Sequence, residues 1–290
     1  MKRCCPNPSC SHAQIPHQNW SKNGHYVRKS DRKIRYRFKC NFCKKTNSNA
    51  SASTCFRQKL RHFNQKIWKL YCSSYPKRRI ARDLKISRTT VDRKITWLSF
   101  LKLHKQSEFL KALGKNSEVY LDDMKSYIHT RCRPVCISFA VTDQRKILGF
   151  EISPCMPNSP RLIEMAQKKY APVLDESAIG FKRLLEKCAS HIDPKASIIT
   201  DEHHQYPKAI QSVFPCSRHT RYKSKRAVIA GQGELKEKGY DPLFAINHTF
   251  AMIRAHVSRL VRSTWCTSKT IKGLKEHLNL YVYYHNTVLT

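Results

Sequence analysis

A chain of 290 residues with 40% hydrophobic content can bury cores in two or three small units, which excludes wholesale disorder. Lys and Arg number 55 against 20 Asp and Glu, a formal net charge of +35, and such an imbalance points to a polyanionic partner. Residues 1–104 hold 26 Lys and Arg but only three acids (Asp31, Asp83, Asp92), interleaved with aromatics and cysteines rather than set in one amphipathic stripe. No apolar run approaches the ~20 residues of a bilayer span, so nucleic acid is favoured over a membrane surface.

The first ten residues, MKRCCPNPSC, carry no apolar core of a signal peptide, and the chain reads as cytoplasmic. Thirteen cysteines without a secretory signal argue against a disulfide framework and for one metal site plus buried thiols. Cys5 and Cys10 form one close pair and Cys40 and Cys43 a second; Cys4 is an alternative to Cys5. Two such knuckles present four thiolates, the donor set of a structural zinc site with no coordination position left for catalysis. Between them, Gly24–Arg28 and Ile34–Lys39 alternate bulky and basic residues, the pattern of a short hairpin turning near Ser30 and Asp31. Residues 1–50 are therefore expected to be a zinc ribbon.

Residues 48–55 are small and polar and read as a linker, after which Phe63, Ile67, Leu70 and Tyr71 recur at helical spacing. Arg78–Leu84 continues as a short helix with Ile80, Ala81 and Leu84 on one face. Lys85 and Ile86 make a tight turn, and Ser87 is a fitting N-cap for a second helix carrying Val91, Ile95 and Leu98. This is the spacing of a helix-turn-helix over residues 56–105, with Arg88, Thr89, Thr90 and Arg93 placed to meet DNA in the major groove.

Beyond residue 115 the composition changes. Glu118–Asp123 reads as a strand ending in paired acids, followed by strands Val135–Val141 and Ile147–Ile152 joined by a turn at Asp143 and Gln144. A helical region spans 159–188, and Ala196–Asp201 is a further apolar strand ending in an acid. Three antiparallel strands, a helix and a strand with a terminal Asp give the order of a ribonuclease-H-like fold, which sets Asp122 beside Asp201. Two-metal phosphoryl transfer needs carboxylates that hold divalent cations roughly 4 Å apart. Asp123 and Glu202 alternate to the opposite face of their strands and are expected to be neighbours of the site rather than ligands. His203 and His204 are expected to be exposed loop histidines.

Taken together, Cys5–Cys10, Cys40–Cys43, Leu121-Asp122-Asp123, Thr200-Asp201 with Tyr206, and the basic helix Asn247–Arg262 followed by Ser263–Lys269 resemble the transposases of the insertion-sequence-one group and its zinc-ribbon relatives. The resemblance covers nearly the whole chain. It implies a ribonuclease-H-like transposase domain over 115–290 that uses Mg²⁺ or Mn²⁺, with structural Zn²⁺ in the ribbon. Its DNA partners would be terminal inverted repeats and target DNA, and the working form a homo-oligomer. Asp122 and Asp201 match the first two acids. The third position, usually Glu, falls on Asn247, which offers a neutral carbonyl oxygen to a cation; Glu234 and Glu237 are its rivals. On the same helix Arg254 is placed to meet a phosphate near the metals, Arg259 and Arg262 to make general backbone contacts, and Phe250, Ile253, Val257 and Leu260 form a core stripe. Ile271–Tyr284 reads as a packing helix carrying Leu274, Leu278 and Tyr281. Asn in place of Glu keeps a second function open, a DNA-binding regulator with a decayed catalytic domain.

Overall fold

The computed structural model describes residues 4–13, 15–16, 18–29, 32–48, 53–56, 58–170, 174–223, 241–260 and 267–290. The turn at Ser30 and Asp31, the Glu234 and Glu237 stretch, Arg262 and the segment 263–266 lie outside those residues. The chain is mixed α/β and divides into two compact units, Met1–Phe63 and Asn64–Thr290. No helix among the described residues is long and apolar enough to cross a membrane.

The first unit is built on three antiparallel strands, β1 (Trp20–Val27), β2 (Ile34–Cys40) and β3 (Thr46–Ser48), in the order β1-β2-β3. The hairpin expected between the two cysteine pairs is present, with Val27 opposite Ile34 and Tyr26 opposite Arg35. Its apolar centre is small, consisting of Cys5, Cys10 and Cys40 with Ala13, Trp20 and Cys43 packed around them.

The second unit opens with three helices, α1 (Asn64–Tyr71), α2 (Lys77–Asp83) and α3 (Arg88–Leu113). Ser87 caps α3 as its sequence position requires, its Oγ accepting the Thr90 N–H at 3.1 Å. Between α2 and α3, Lys85 adopts a φ of 51°, which turns the chain within the four residues 84–87. Ile80, Ala81, Leu84, Val91, Ile95 and Leu98 are all buried.

The helix does not stop near 105. It continues unbroken to Leu113 because its periodic apolar positions continue: Leu110 joins the core beneath the large sheet, and Gln106 donates to the Ile147 carbonyl at 3.2 Å.

That sheet has five strands: β4 (Asn116–Tyr127), β5 (Pro134–Thr142), β6 (Ile147–Pro154), β7 (Ile192–Asp201) and β8 (Arg218–Tyr222). Their spatial order is β6-β5-β4-β7-β8, with β5 antiparallel to both β4 and β6 and with β7 and β8 parallel to β4. The helical region expected at 159–188 divides into α4 (Pro160–Lys169) and α5 (Ser177–Cys188). The short helix α6 (Tyr206–Val213) then leads to β8. Phe181, Leu184 and Leu185 of α5 and Ile210 of α6 pack against Val119, Leu121, Ala140 and Ile198 on one face of the sheet.

On the other face lies α7 (Phe244–His256), whose Phe250 ring meets Phe139 edge-on at 5.5 Å. Phe250, Ile253, Val257 and Leu260 are buried, as their spacing requires, although the α-helix ends at His256 and Ser258–Leu260 is a 3-10 turn. The last helix, α8 (Ile271–Tyr284), buries Leu274, Leu278 and Tyr281 and packs along α3. It also ties α1 in place. Trp68 Nε1 donates to the Leu280 carbonyl at 3.1 Å, and the His277 ring stacks on Tyr71 at 3.8 Å.

Candidate functional sites

In the first unit, the two knuckles are formed by backbone turns that the local sequence dictates. Cys10 N–H bonds to the Asn7 carbonyl at 3.0 Å, closing the first loop over two prolines. Lys44, at a φ of 60°, donates to the Cys40 carbonyl at 2.8 Å and closes the second. His12 and Phe42, one from each knuckle, stack at 3.7 Å and hold the loops together.

The result is a cluster in which the sulfur atoms of Cys5, Cys10, Cys40 and Cys43 all lie within 4.8 Å of one another. A tetrahedral Zn²⁺ with bonds of about 2.3 Å needs sulfurs about 3.8 Å apart, so the cluster fits that ion. The Cys5 and Cys43 sulfurs are already at 3.5 Å. Burial pushes the Cys5 thiol up to about 12, whereas the Lys45 backbone N–H pulls Cys43 down to about 6. Cys5, not Cys4, is the member of this group; Cys4 is exposed. Cys72, Cys132, Cys136, Cys155 and Cys188 are buried thiols outside this group.

In the second unit, the register of two neighbouring strands brings the acids together. Leu121 of β4 is opposite Thr200 of β7, both on the face covered by α5. The next residue of each strand, Asp122 and Asp201, therefore turns to the other face, side by side. They line a cavity of about 510 Å³ together with Asp123, Lys125, Arg131, His203, Arg254 and Arg259.

Burial pushes the Asp122 carboxyl up to about 8. The Asp123 N–H, 2.7 Å from its Oδ1, and the Arg254 guanidinium oppose the rise, while the Asp201 charge adds to it. Asp201 is held by the His203 N–H at 3.0 Å. On the α5 side, Asp123 lies opposite Ser138 and is likewise raised by burial, with Ser138, Cys136 and Tyr206 hydrogen bonding opposing that rise. The mixture of three carboxylates with Lys125 and three arginines suits a ligand that combines cations with phosphate oxygens.

Asn247 sits two helical turns before Arg254 on α7 and donates its side-chain amide to Asp241 Oδ2 at 3.2 Å. It is not among the described residues that line the cavity, whereas Arg254 is. Arg259, assigned from sequence to general backbone contacts, lines the cavity and donates to the Tyr71 hydroxyl at 3.0 Å. His203 also faces the cavity rather than standing free in a loop, while His204 beside it is exposed. Arg131, in the connection between β4 and β5, is a lining residue that sequence reasoning missed: a lone arginine in a turn carries no periodic signal.

At the start of α3, Arg88, Thr89 and Arg93 are exposed and Thr90 is half-buried with its hydroxyl 2.8 Å from Ser87 Oγ. Arg88 and Lys77 both reach Asp92, at 3.7 and 2.8 Å. Compared with known protein families and with curated proteins, the chain matches none of them.

Proposed function

We propose that the protein is a DNA transposase that binds terminal inverted repeats and carries out divalent-metal-dependent DNA cleavage and strand transfer. The observation that carries the reading is Asp122 and Asp201 side by side on adjacent parallel strands, at the floor of a cavity rimmed by Arg131, Arg254 and Arg259. The strand order β6-β5-β4-β7-β8, with only β5 antiparallel to its neighbours, supports a ribonuclease-H-like domain.

Two carboxylates converging there are hard oxygen donors of the kind Mg²⁺ and Mn²⁺ take. Bound cations would activate the attacking hydroxyl and stabilise the leaving oxygen. The chain's own groups divide the remaining work. Asp122 and Asp201 would hold the ions, the arginines would orient the DNA phosphate, and the His203 N–H fixes the Asp201 carboxylate. Helices α2 and α3, joined by a four-residue turn, support a helix-turn-helix that would present Arg88, Thr89, Thr90 and Arg93 to the major groove. The cysteine cluster would hold structural Zn²⁺, and paired DNA ends would require a homo-oligomer.

Strand transfer of a labelled inverted-repeat end with Mg²⁺ or Mn²⁺ tests this reading. Wild type should give joined products, and Asp122→Ala and Asp201→Ala should lose them by at least 10³-fold, the order expected when a metal-binding group is removed from a phosphoryl-transfer site. Equal product from all three would reject the site. The engagement of Asn247 with Asp241 favours one second reading, a DNA-binding regulator whose catalytic centre lacks its third ligand. DNA binding by wild type with no product under any metal condition would select it.

A further inference from the structure

Arg259 reaches the acid-lined cavity from the 3-10 turn that follows α7, where no helix of its own fixes the long side chain. Two other elements fix it instead. From α1, the Tyr71 hydroxyl accepts a hydrogen bond from Arg259 Nη2 at 3.0 Å. From the first turn of α8, Gly273 leaves room for Nη1: a Cβ at that position would lie 3.1 Å from Nη1 and 3.2 Å from Thr270 Oγ1. Glycine weakens a helix relative to alanine, so this close approach, not helix formation, accounts for glycine as the third residue of α8.

Tyr71 is itself locked. It is 2% exposed, its ring stacks on His277 at 3.8 Å, and its carbonyl accepts from His277 Nε2 at 3.0 Å. The residues after it clamp the end of α7. Ser74 N–H donates to the His256 carbonyl at 3.0 Å, Ser74 Oγ donates to the Ala255 carbonyl at 2.6 Å, and His256 Nδ1 donates to the Cys72 carbonyl at 3.0 Å. Burial pushes the Tyr71 hydroxyl up to about 12 against the opposing Arg259 charge, so it stays a neutral acceptor.

The neutrality of this partner matters. A carboxylate would hold the guanidinium equally well but would cancel its charge. Tyr71 fixes one arm of the planar fork through an uncharged oxygen, and Arg259 forms no ion pair with the described residues. Its other N–H groups and its full charge are left for a phosphate.

We propose that Tyr71 is a positioning residue of the phosphoryl transfer, its hydroxyl holding the Arg259 guanidinium where the DNA phosphate meets Asp122 and Asp201. Tyr71 ends α1, just before α2 and α3, so the same contact joins the helices proposed to seat DNA to the cavity. Fixing a group that acts on the reacting phosphate raises the rate more than the affinity for DNA. The inference rests on the transposase reading.

Single-turnover strand transfer of the labelled inverted-repeat end with Mg²⁺ or Mn²⁺ tests it, with DNA affinity followed in parallel by fluorescence anisotropy. Tyr71→Phe keeps the ring stack and removes only the hydroxyl. It should slow the reaction about 10- to 100-fold, the loss expected from a misplaced orienting group, and leave DNA affinity within about twofold. Arg259→Ala should lose at least as much, and Tyr71→Phe combined with Arg259→Ala should be no slower than Arg259→Ala alone. Gly273→Ala should keep or raise the melting temperature and still slow the reaction about tenfold, a split that a purely structural role would not produce. A wild-type rate from either Tyr71→Phe or Gly273→Ala, with Asp122→Ala inactive, would overturn the positioning role and leave the transposase reading standing. Rate losses that multiply in the double variant would overturn it as well. No product from wild type under any metal condition would overturn the transposase reading and this role with it.

Discussion

Asp122 shows how one residue can oppose stability and serve a site. Its carboxyl titrates near 8 in the folded chain against 3.8 when free, so the folded state holds the proton more tightly. The contribution of this group to stability is complete below about pH 4 and is lost as pH rises through 8. Asp122→Asn keeps the acceptor for the Asp123 N–H and removes the charge. It should raise the stability of the metal-free protein at pH 8 by on the order of 0.5–2 kcal/mol, and by less at pH 5. Mg²⁺ or Mn²⁺ should raise the wild-type melting temperature at pH 8 and leave that of the variant unchanged. A metal-induced shift of equal size in both proteins would contradict the role of Asp122.

Lys102 behaves oppositely. Its ammonium lies 3.3 Å from the Trp68 ring centroid and 4.6 Å from that of Tyr283, yet burial, with the Lys105 charge adding, lowers it to about 8 from 10.5. Below pH 8 the folded state carries the full disadvantage of that buried charge, and between 8 and 10.5 this group makes stability increase with pH. The melting temperature of Lys102→Met minus that of wild type should therefore shrink from pH 7 to pH 10. Neither pKa shift was legible in the sequence. Both come first from burial, which is set by how distant segments pack rather than by neighbours in the sequence.

At the scale of elements, the first unit depends on its cysteines more than on its strands. Strands of eight, seven and three residues enclose almost no apolar side chains beyond the knuckles, and Val27, Ile34 and Tyr36 are more than half exposed. A metal held by the four cysteines would then be the main source of its folding free energy, as in other small metal-bound modules, where apparent values reach about 10–16 kcal/mol. Chelation of zinc, or Cys40→Ser, should unfold β1–β3 while Asn64–Thr290 keeps its secondary structure. Amide hydrogen exchange distinguishes this from global unfolding: loss of protection confined to Trp20–Ser48 is the expected result. The knuckles were readable because close cysteine spacing is a local signal. Helices α2 and α3 were readable for the same reason, through the Ser87 cap and the apolar spacing around it. Helix α6 and strand β8 were missed; Arg218–Tyr222 is a polar edge strand with no buried residue to give it a period.

At the scale of the molecule, the second unit joins the helices that would bind DNA to the sheet that holds the acids without an intervening linker. Helix α3 alone spans from the turn after α2 to the core under the sheet, and α8 returns from the chain end to pack on it. Asn286, just past α8, closes the arrangement by accepting from the Ile147 N–H and donating to its carbonyl, each at 2.8 Å. Residues 56–105 alone should therefore fail to give a cooperative thermal transition, because Trp68, Tyr71 and Ser99 lose partners at Leu280, His277 and Asn279. Leu110→Ala in the full chain should cost about 2–5 kcal/mol in denaturant unfolding. A folded, cooperative 56–105 fragment would show that the helices form a separate domain.

Local rules of spacing, capping and alternation were enough to determine the cysteine cluster, the Ser87-capped helix and the strands that carry Asp122 and Asp201, but not that Asp123 lines the same cavity as Asp122. Those features depend on residues within a few positions of one another, or on the period of a single element. Only the tertiary structure decided that Asp122 and Asp201 share one cavity with Arg131, Arg254 and Arg259, that Asn247 engages Asp241, and that α3 is continuous with the core. These are contacts between distant parts of the chain, set by strand register and by which helix covers which face, and no local pattern in the sequence encodes them.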